Sequence, residues 1–136
     1  MSDHVGSDTD RQTVLLVDDN AQNLELLEVY MEDLPEVRVV TATNGLEAMD
    51  KVACESPDLV LLDIMMPKMS GFEVCRRIKN DPKTRDIIVV MVTALNETGD
   101  IERAAECGTD DYISKPIDRK ALVDLCRNLL AAKARG

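Results

Sequence analysis

Three carboxylates, two hydroxyls and an amine stand where short apolar runs of this chain end. Asp18 and Asp19 close TVLLV, Asp63 closes LVLL, Thr93 closes IIVVMV, and Ser114 and Lys115 close DYI. A lone aspartate after a strand is ordinarily a turn former, but four runs ending in reactive groups ask for another reason. Two carboxylates about 4 Å apart repel by about 4 kcal/mol at an effective dielectric near 20, so a crowded set needs cations. Lys115 supplies one charge. Oxygen donors without sulfur or imidazole favour a hard divalent ion. Mg2+ fits best, because it takes one or two carboxylates and fills its octahedron with waters and phosphate oxygens; Ca2+ competes chemically, but the chain has no EF-hand loop. Cation, carboxylate, ammonium and hydroxyl around one point suit phosphoryl transfer, which depends on positioning and charge neutralisation. A carboxylate ionised at neutral pH can attack phosphorus without a separate base, giving an acyl phosphate.

These groups meet only if the strands that carry them are parallel neighbours. The alternation of apolar runs with helical periodicity predicts parallel βαβ units in the order βαβαβαβαβα. The strands are expected at Thr13 to Val17, Val37 to Thr41, Leu59 to Leu62, Asp86 to Val92 and Asp111 to Ser114. The first, third and fourth are nearly all apolar, as strands buried on both faces are; the second and fifth look less buried. Helical stripes are expected at Leu24, Leu27, Tyr30, Met31 and Leu34, at Leu46, Met49, Val52 and Ala53, and at Leu122, Leu125, Cys126 and Leu129. Asn44 with Glu47, Ser70 with Glu73, and Asp118 mark helix starts. A helix near Asp100 to Cys107 has the weakest signal, since Gly99 interrupts its start and its apolar face is mostly alanine. Ligands of such sheets bind beyond the carboxyl ends of the strands, where the reactive residues lie.

With 136 residues and 45% hydrophobic content the chain suits one domain. A net charge of −10 disfavours direct nucleic-acid binding, and one phenylalanine, two tyrosines and no tryptophan leave little for base stacking. No apolar run approaches the roughly 20 residues of a membrane span, and the start is unlike a secretory signal; a soluble cytoplasmic protein is expected. Cys54, Cys75, Cys107 and Cys126 form no C-x-x-C pair, so reduced, mostly buried thiols are expected. Residues 1–12, which include the lone His4, read as a disordered tail, with the domain over 13–132 and a tail or linker start over 133–136.

The motifs VLLVDDN (14–20), DLVLLDIMMPKMSGFEVCRRIK (58–79), VVMVTA (89–94) and YISKPI (112–117) resemble the receiver domains of response regulators in two-component systems, the CheY-like family, from Thr13 to about Ala132. The resemblance implies a flavodoxin-like, doubly wound five-stranded sheet of order 2-1-3-4-5. It implies that Asp63 is the phosphoacceptor, that Asp19 and Asp63 bind Mg2+ directly with the Met65 carbonyl, that Asp18 acts through a metal water, and that Lys115 bridges to a phosphoryl oxygen. Thr93 resembles the switch hydroxyl, Tyr112 its aromatic partner, and Lys115–Pro116 the family's cis peptide. The donor would be a sensor histidine kinase or a histidine phosphotransfer protein. The output surface would be the fourth helix, fifth strand and fifth helix, acting on an unnamed partner, as a monomer or a phosphorylation-dependent dimer. On this reading the chain is not a turnover enzyme but an acceptor that assists its own phosphorylation and dephosphorylation.

Met65 and Leu95, two positions beyond Asp63 and Thr93, are expected to border the path of attacking water, and apolar side chains there to prolong the acyl phosphate. Three other readings are weaker. A haloacid-dehalogenase-type phosphatase would carry an acid two residues after Asp63, where Met65 stands. An FMN binder would not place Asp18, Asp19 and Asn20 in a phosphate-cradling loop. A degenerate receiver used only for binding would not keep the acidic set whole.

Overall fold

In the computed structural model, which describes residues 11–93, 102 and 106–135, five parallel strands form one sheet in the order β2-β1-β3-β4-β5. The elements are β1 (Thr13–Val17), α1 (Ala21–Met31), β2 (Arg38–Ala42), α2 (Gly45–Glu55), β3 (Leu59–Asp63), α3 (Gly71–Asn80), β4 (Ile88–Thr93), β5 (Asp111–Ser114) and a C-terminal helix (Arg119–Arg135). Side chains of a strand alternate between faces, and here the alternation divides the core in two. Leu15, Val17, Val60, Leu62, Val89 and Met91 pack beneath α2 and α3, while Val14, Leu16, Leu59, Leu61, Val90 and Val92 pack beneath α1 and the C-terminal helix. Every residue of β1 and β3 is buried, whereas the edge strands β2 and β5 are mostly half-exposed. Fully burying one such leucine contributes about 1.5–3 kcal/mol.

The expected caps form. Asn44 Oδ1 accepts the Glu47 amide at 2.8 Å, Ser70 Oγ the Glu73 amide at 3.3 Å, and Asp118 Oδ2 the Ala121 amide at 2.8 Å. Two strands are displaced from their expected bounds by local turns: β2 starts at Arg38 because the Val37 amide bonds back to Leu34, and β4 starts at Ile88 because the Ile87 amide bonds back to Thr84. The buried face of α2 is Gly45, Ala48 and Val52, with Leu46 and Ala53 exposed, so the expected stripe is corrected. The cause is close packing, since a Cβ on Gly45 would lie 2.7 Å from Met69 Cβ; α2 rests on its smallest residues. On the C-terminal helix Leu122, Val123, Cys126 and Leu130 are buried, and Leu125 and Leu129 only partly.

Of the expected tail, residues 1–10 lie outside the described residues. Arg11 and Gln12 are joined to the domain: Arg11 Nη2 donates to the Val37 carbonyl at 2.9 Å, and Gln12 Nε2 to the Leu130 carbonyl at 2.9 Å. The helix expected near 100–107 is outside the described residues except that Glu102 and Glu106 are helical, and Leu95 is outside them too. All four thiols are free, with only Cys54 exposed; burial pushes Cys75 and Cys126 up to about 12, which keeps both inert. Among the described residues no helix is long and apolar enough to cross a membrane.

Candidate metal and phosphoryl-acceptor site

Register brings the reactive residues to one edge. Val17 pairs with Leu62, Asp63 with Val92, and Thr93 with Ser114, so the segments after β1, β3, β4 and β5 leave the sheet side by side. One oxygen each of Asp18, Asp19 and Asp63 lies within 4.8 Å of the others. Asp18 and Asp63 are buried and Asp19 is exposed, so the cluster has two inner walls and one open to solvent. Lys115 Nζ stands 3.7 Å from Asp63 Oδ1 and 4.0 Å from Asp18 Oδ2. These separations exceed a hydrogen bond, so the ammonium acts on the carboxylates through space. Its main chain is held by Lys115 N–H donating to the Thr93 carbonyl at 2.7 Å, and Lys115–Pro116 is cis.

The remaining sequence-predicted residues lie on β4, on β5 and in the segment after β3. Thr93 is buried at the end of β4, and Tyr112 on β5 is 43% exposed. The Met65 amide donates to Asp63 Oδ1 at 3.3 Å, folding the loop after β3 back over that carboxylate, while the Met65 side chain is 71% exposed. Asp18 is held by donors that the sequence reading did not single out: the Asn20 amide on Oδ1 at 2.9 Å and the Asn23 side chain on Oδ2 at 3.3 Å. Gly71 was also missed. Its amide donates to the Ile64 carbonyl at 3.0 Å, and a Cβ there would collide with the Asp63 carbonyl oxygen. The available signals were an asparagine just after the aspartate pair and a glycine directly after a helix cap.

Burial, then repulsion from Asp18, raises the Asp63 carboxyl to about 6, while Lys115 and the Met65 amide pull the other way. Asp63 is therefore ionised above that pH rather than throughout the ordinary carboxylate range. Repulsion from Asp18 outweighs the attraction of Lys115 at Asp63, so the lysine alone does not balance the cluster. A hard cation would, and three carboxylates with an open side fit one.

A pH prediction follows by linkage. Between about pH 4 and pH 6 folded Asp63 keeps a proton that the unfolded carboxyl has lost, so its contribution to stability falls as pH rises, by about 3 kcal/mol in all. Asp33, Glu73 and Asp124 are lowered by Arg119, Arg77 and Lys120 respectively and run the opposite way, losing stability as pH falls. The Asp63 effect is thus read as the difference between the chain and Asp63→Asn in metal-free urea unfolding. That difference is expected to widen in favour of the variant from about pH 4 to pH 7 and to shrink when Mg2+ is added; a pH-independent difference would refute it.

A protein-family model described as the response regulator receiver domain matches residues 14–127. The response regulator PleD of Caulobacter vibrioides is 43% identical over 120 residues, covering 88% of this chain and 26% of PleD. The polar-differentiation response regulator DivK of Brucella anthropi is 37% identical over 119 residues, covering 88% of this chain and 96% of DivK. The chain therefore spans about a quarter of PleD, and 46% of a probable transcriptional regulator, ycf27, of Guillardia theta. Among solved structures, the signal receiver domain of a histidine kinase from Syntrophus aciditrophicus superposes with a TM-score of 0.83 at 33% identity, covering 89% of this chain and 91% of that one. Strand order, the acidic cluster at the strand ends and these matches agree: the chain belongs to the response regulator receiver domain family of two-component signalling proteins.

Proposed function

We propose that this receiver domain takes a phosphoryl group onto Asp63 from a phosphohistidine of a sensor histidine kinase or a histidine phosphotransfer protein. The carrying observation is a buried carboxylate at the end of a central strand, with an ammonium 3.7 Å away and two more carboxylates beside it. An Asp63 oxygen forms the new O–P bond as the donor's N–P bond breaks, and the electron pair leaves with the imidazole nitrogen. Asp19, Asp63 and the Met65 carbonyl would hold Mg2+, with Asp18 acting through a water; the ion supplies charge neutralisation for the transferred group. Lys115 binds a phosphoryl oxygen from the opposite side. The chain acts as a substrate that assists its own phosphorylation and dephosphorylation, in the cytoplasm beside its kinase.

Phosphorylation adds charge and acceptor oxygens. Thr93, at the end of β4, turns toward them, and Tyr112 moves inward from its exposed position, changing the surface around β5 and the C-terminal helix. A bistable element of this kind is what turns a local charge into altered partner affinity. The output, a separate protein or a further domain, is read through that surface, by a monomer or by a dimer formed on phosphorylation.

Incubation with acetyl phosphate and Mg2+ is expected to add one phosphoryl group per chain and to shift the NMR signals of Tyr112. Lys115→Ala is expected to be labelled without that shift; a full Tyr112 shift in Lys115→Ala would remove the lysine from the switch. Exposed Met65 borders the acceptor, and with Leu95 it should position water poorly. The Met65→Asn, Leu95→Glu double variant is expected to lose its phosphoryl group several-fold faster than the unmodified chain, and an equal or longer lifetime would overturn that role.

A further inference from the structure

The side chain of Asn23 points back from the first turn of α1 onto Asp18. Three hydrogen bonds close a ring. The Asn20 amide donates to Asp18 Oδ1 at 2.9 Å, Asn20 Oδ1 accepts the Asn23 amide at 3.0 Å, and Asn23 Nδ2 donates to Asp18 Oδ2 at 3.3 Å. An ionised carboxylate only accepts, so the nitrogen of Asn23, not its oxygen, must face Asp18. Each oxygen of Asp18 thus has its own donor, and the carboxylate plane is tied at both ends. The one cation near Oδ2 among the described residues is Lys115, 4.0 Å away. Helix capping does not need this third bond. The cap is made by Asn20, and Asn23 contributes its backbone amide to it whatever its side chain.

We propose that Asn23 is a positioning residue of the metal site, holding Asp18 in one orientation and thereby favouring Mg2+ over Ca2+. The inference rests on the metal reading given above and assigns a selectivity device within it. Mg2+ demands a near-ideal octahedron with short bonds, whereas Ca2+ accepts longer bonds and two-oxygen contact from one carboxylate. A tethered Asp18 can hold a metal-bound water in a fixed direction but cannot swing to clasp a larger ion. Without the amide, Asp18 pivots about the single remaining tether from Asn20. Loss of an outer hydrogen-bond partner of this kind typically weakens metal binding by about tenfold or more.

The surroundings allow a clean test. Asn23 lines a cavity of about 290 Å³ whose wall is charged at Asp18 and Lys115 and apolar at Leu26, Leu27 and Ile117, so Asn23→Leu removes the donor and fills the space beside the apolar part of that wall. Asn23→Ala removes it without adding bulk. Mg2+ and Ca2+ are titrated separately by calorimetry into the full 136-residue chain and both variants, alongside thermal unfolding of the metal-free proteins. Both variants are expected to bind Mg2+ about tenfold more weakly and Ca2+ as well as or better than the unmodified chain, with both still unfolding in a single cooperative transition. Equal loss for the two ions, or none for either, overturns the positioning role while leaving the metal site standing. Failure of the unmodified chain to bind Mg2+ overturns the metal reading and this inference together.

Discussion

Asp63→Asn is expected to take up no phosphoryl group from acetyl phosphate and Mg2+ under conditions that label the unmodified chain completely. An amide oxygen is too weak a nucleophile to replace an ionised carboxylate, and no neighbouring group takes over its place. Asp18 has both oxygens held by amide donors, and Asp19 faces solvent. The substitution is nearly isosteric, so loss of labelling would not reflect loss of fold. Asp63 is already part of the β3 ladder, paired with Val92, and its backbone does not depend on the carboxylate. Metal-free stability at neutral pH should rise, because a neutral amide removes the repulsion from Asp18 and the burial of charge that raise this carboxyl to about 6. The size of that gain is about 3 kcal/mol. Intact-mass measurement reads the first effect and urea unfolding the second. A variant that still gains one phosphoryl group per chain would move the acceptor to another residue and undo the proposed function.

Gly71→Ala is the substitution outside the acidic cluster expected to do most damage. The atoms its Cβ would meet are backbone: the Asp63 carbonyl oxygen, and Ile64 Cα at 2.9 Å. A side chain can rotate away from an intruding methyl, but a strand end cannot. Asp63 and Ile64 are bound to β4, the latter by its amide donating to the Val92 carbonyl at 3.2 Å, so either α3 backs away from the sheet or β3 is pushed out of register with the cluster. Overpacking of this kind costs about 1–3 kcal/mol, and the backbone contact places this case at the upper end. Displacing a reacting group by about 1 Å can cost about a hundredfold in rate. We expect Gly71→Ala to lose about 3 kcal/mol in urea unfolding and to phosphorylate about a hundredfold more slowly. An alanine variant of unchanged stability and rate would show that α3 can retreat freely, and that Gly71 has no part in setting Asp63.

The strands, the helix starts and the acceptor set could be read from the chain because each is written locally. Apolar runs mark β1, β3 and β4. A side-chain oxygen three residues before an acidic residue marks the starts of α2 and α3. The reactive residues were legible because each closes or directly follows a strand, and parallel connection places those carboxyl ends on one edge. The residues that refine the site were not legible in this way. Nothing near Gly45 announces that α2 presses on Met69 and so turns Leu46 outward. Nothing near Gly71 announces that Asp63 lies behind it, and nothing near Asn23 shows that its amide, rather than its carbonyl, turns back to Asp18. Period and capping depend on neighbours within a turn of the chain, whereas clearance and hydrogen-bond geometry depend on which surfaces tertiary packing brings together. Only the folded arrangement decides those.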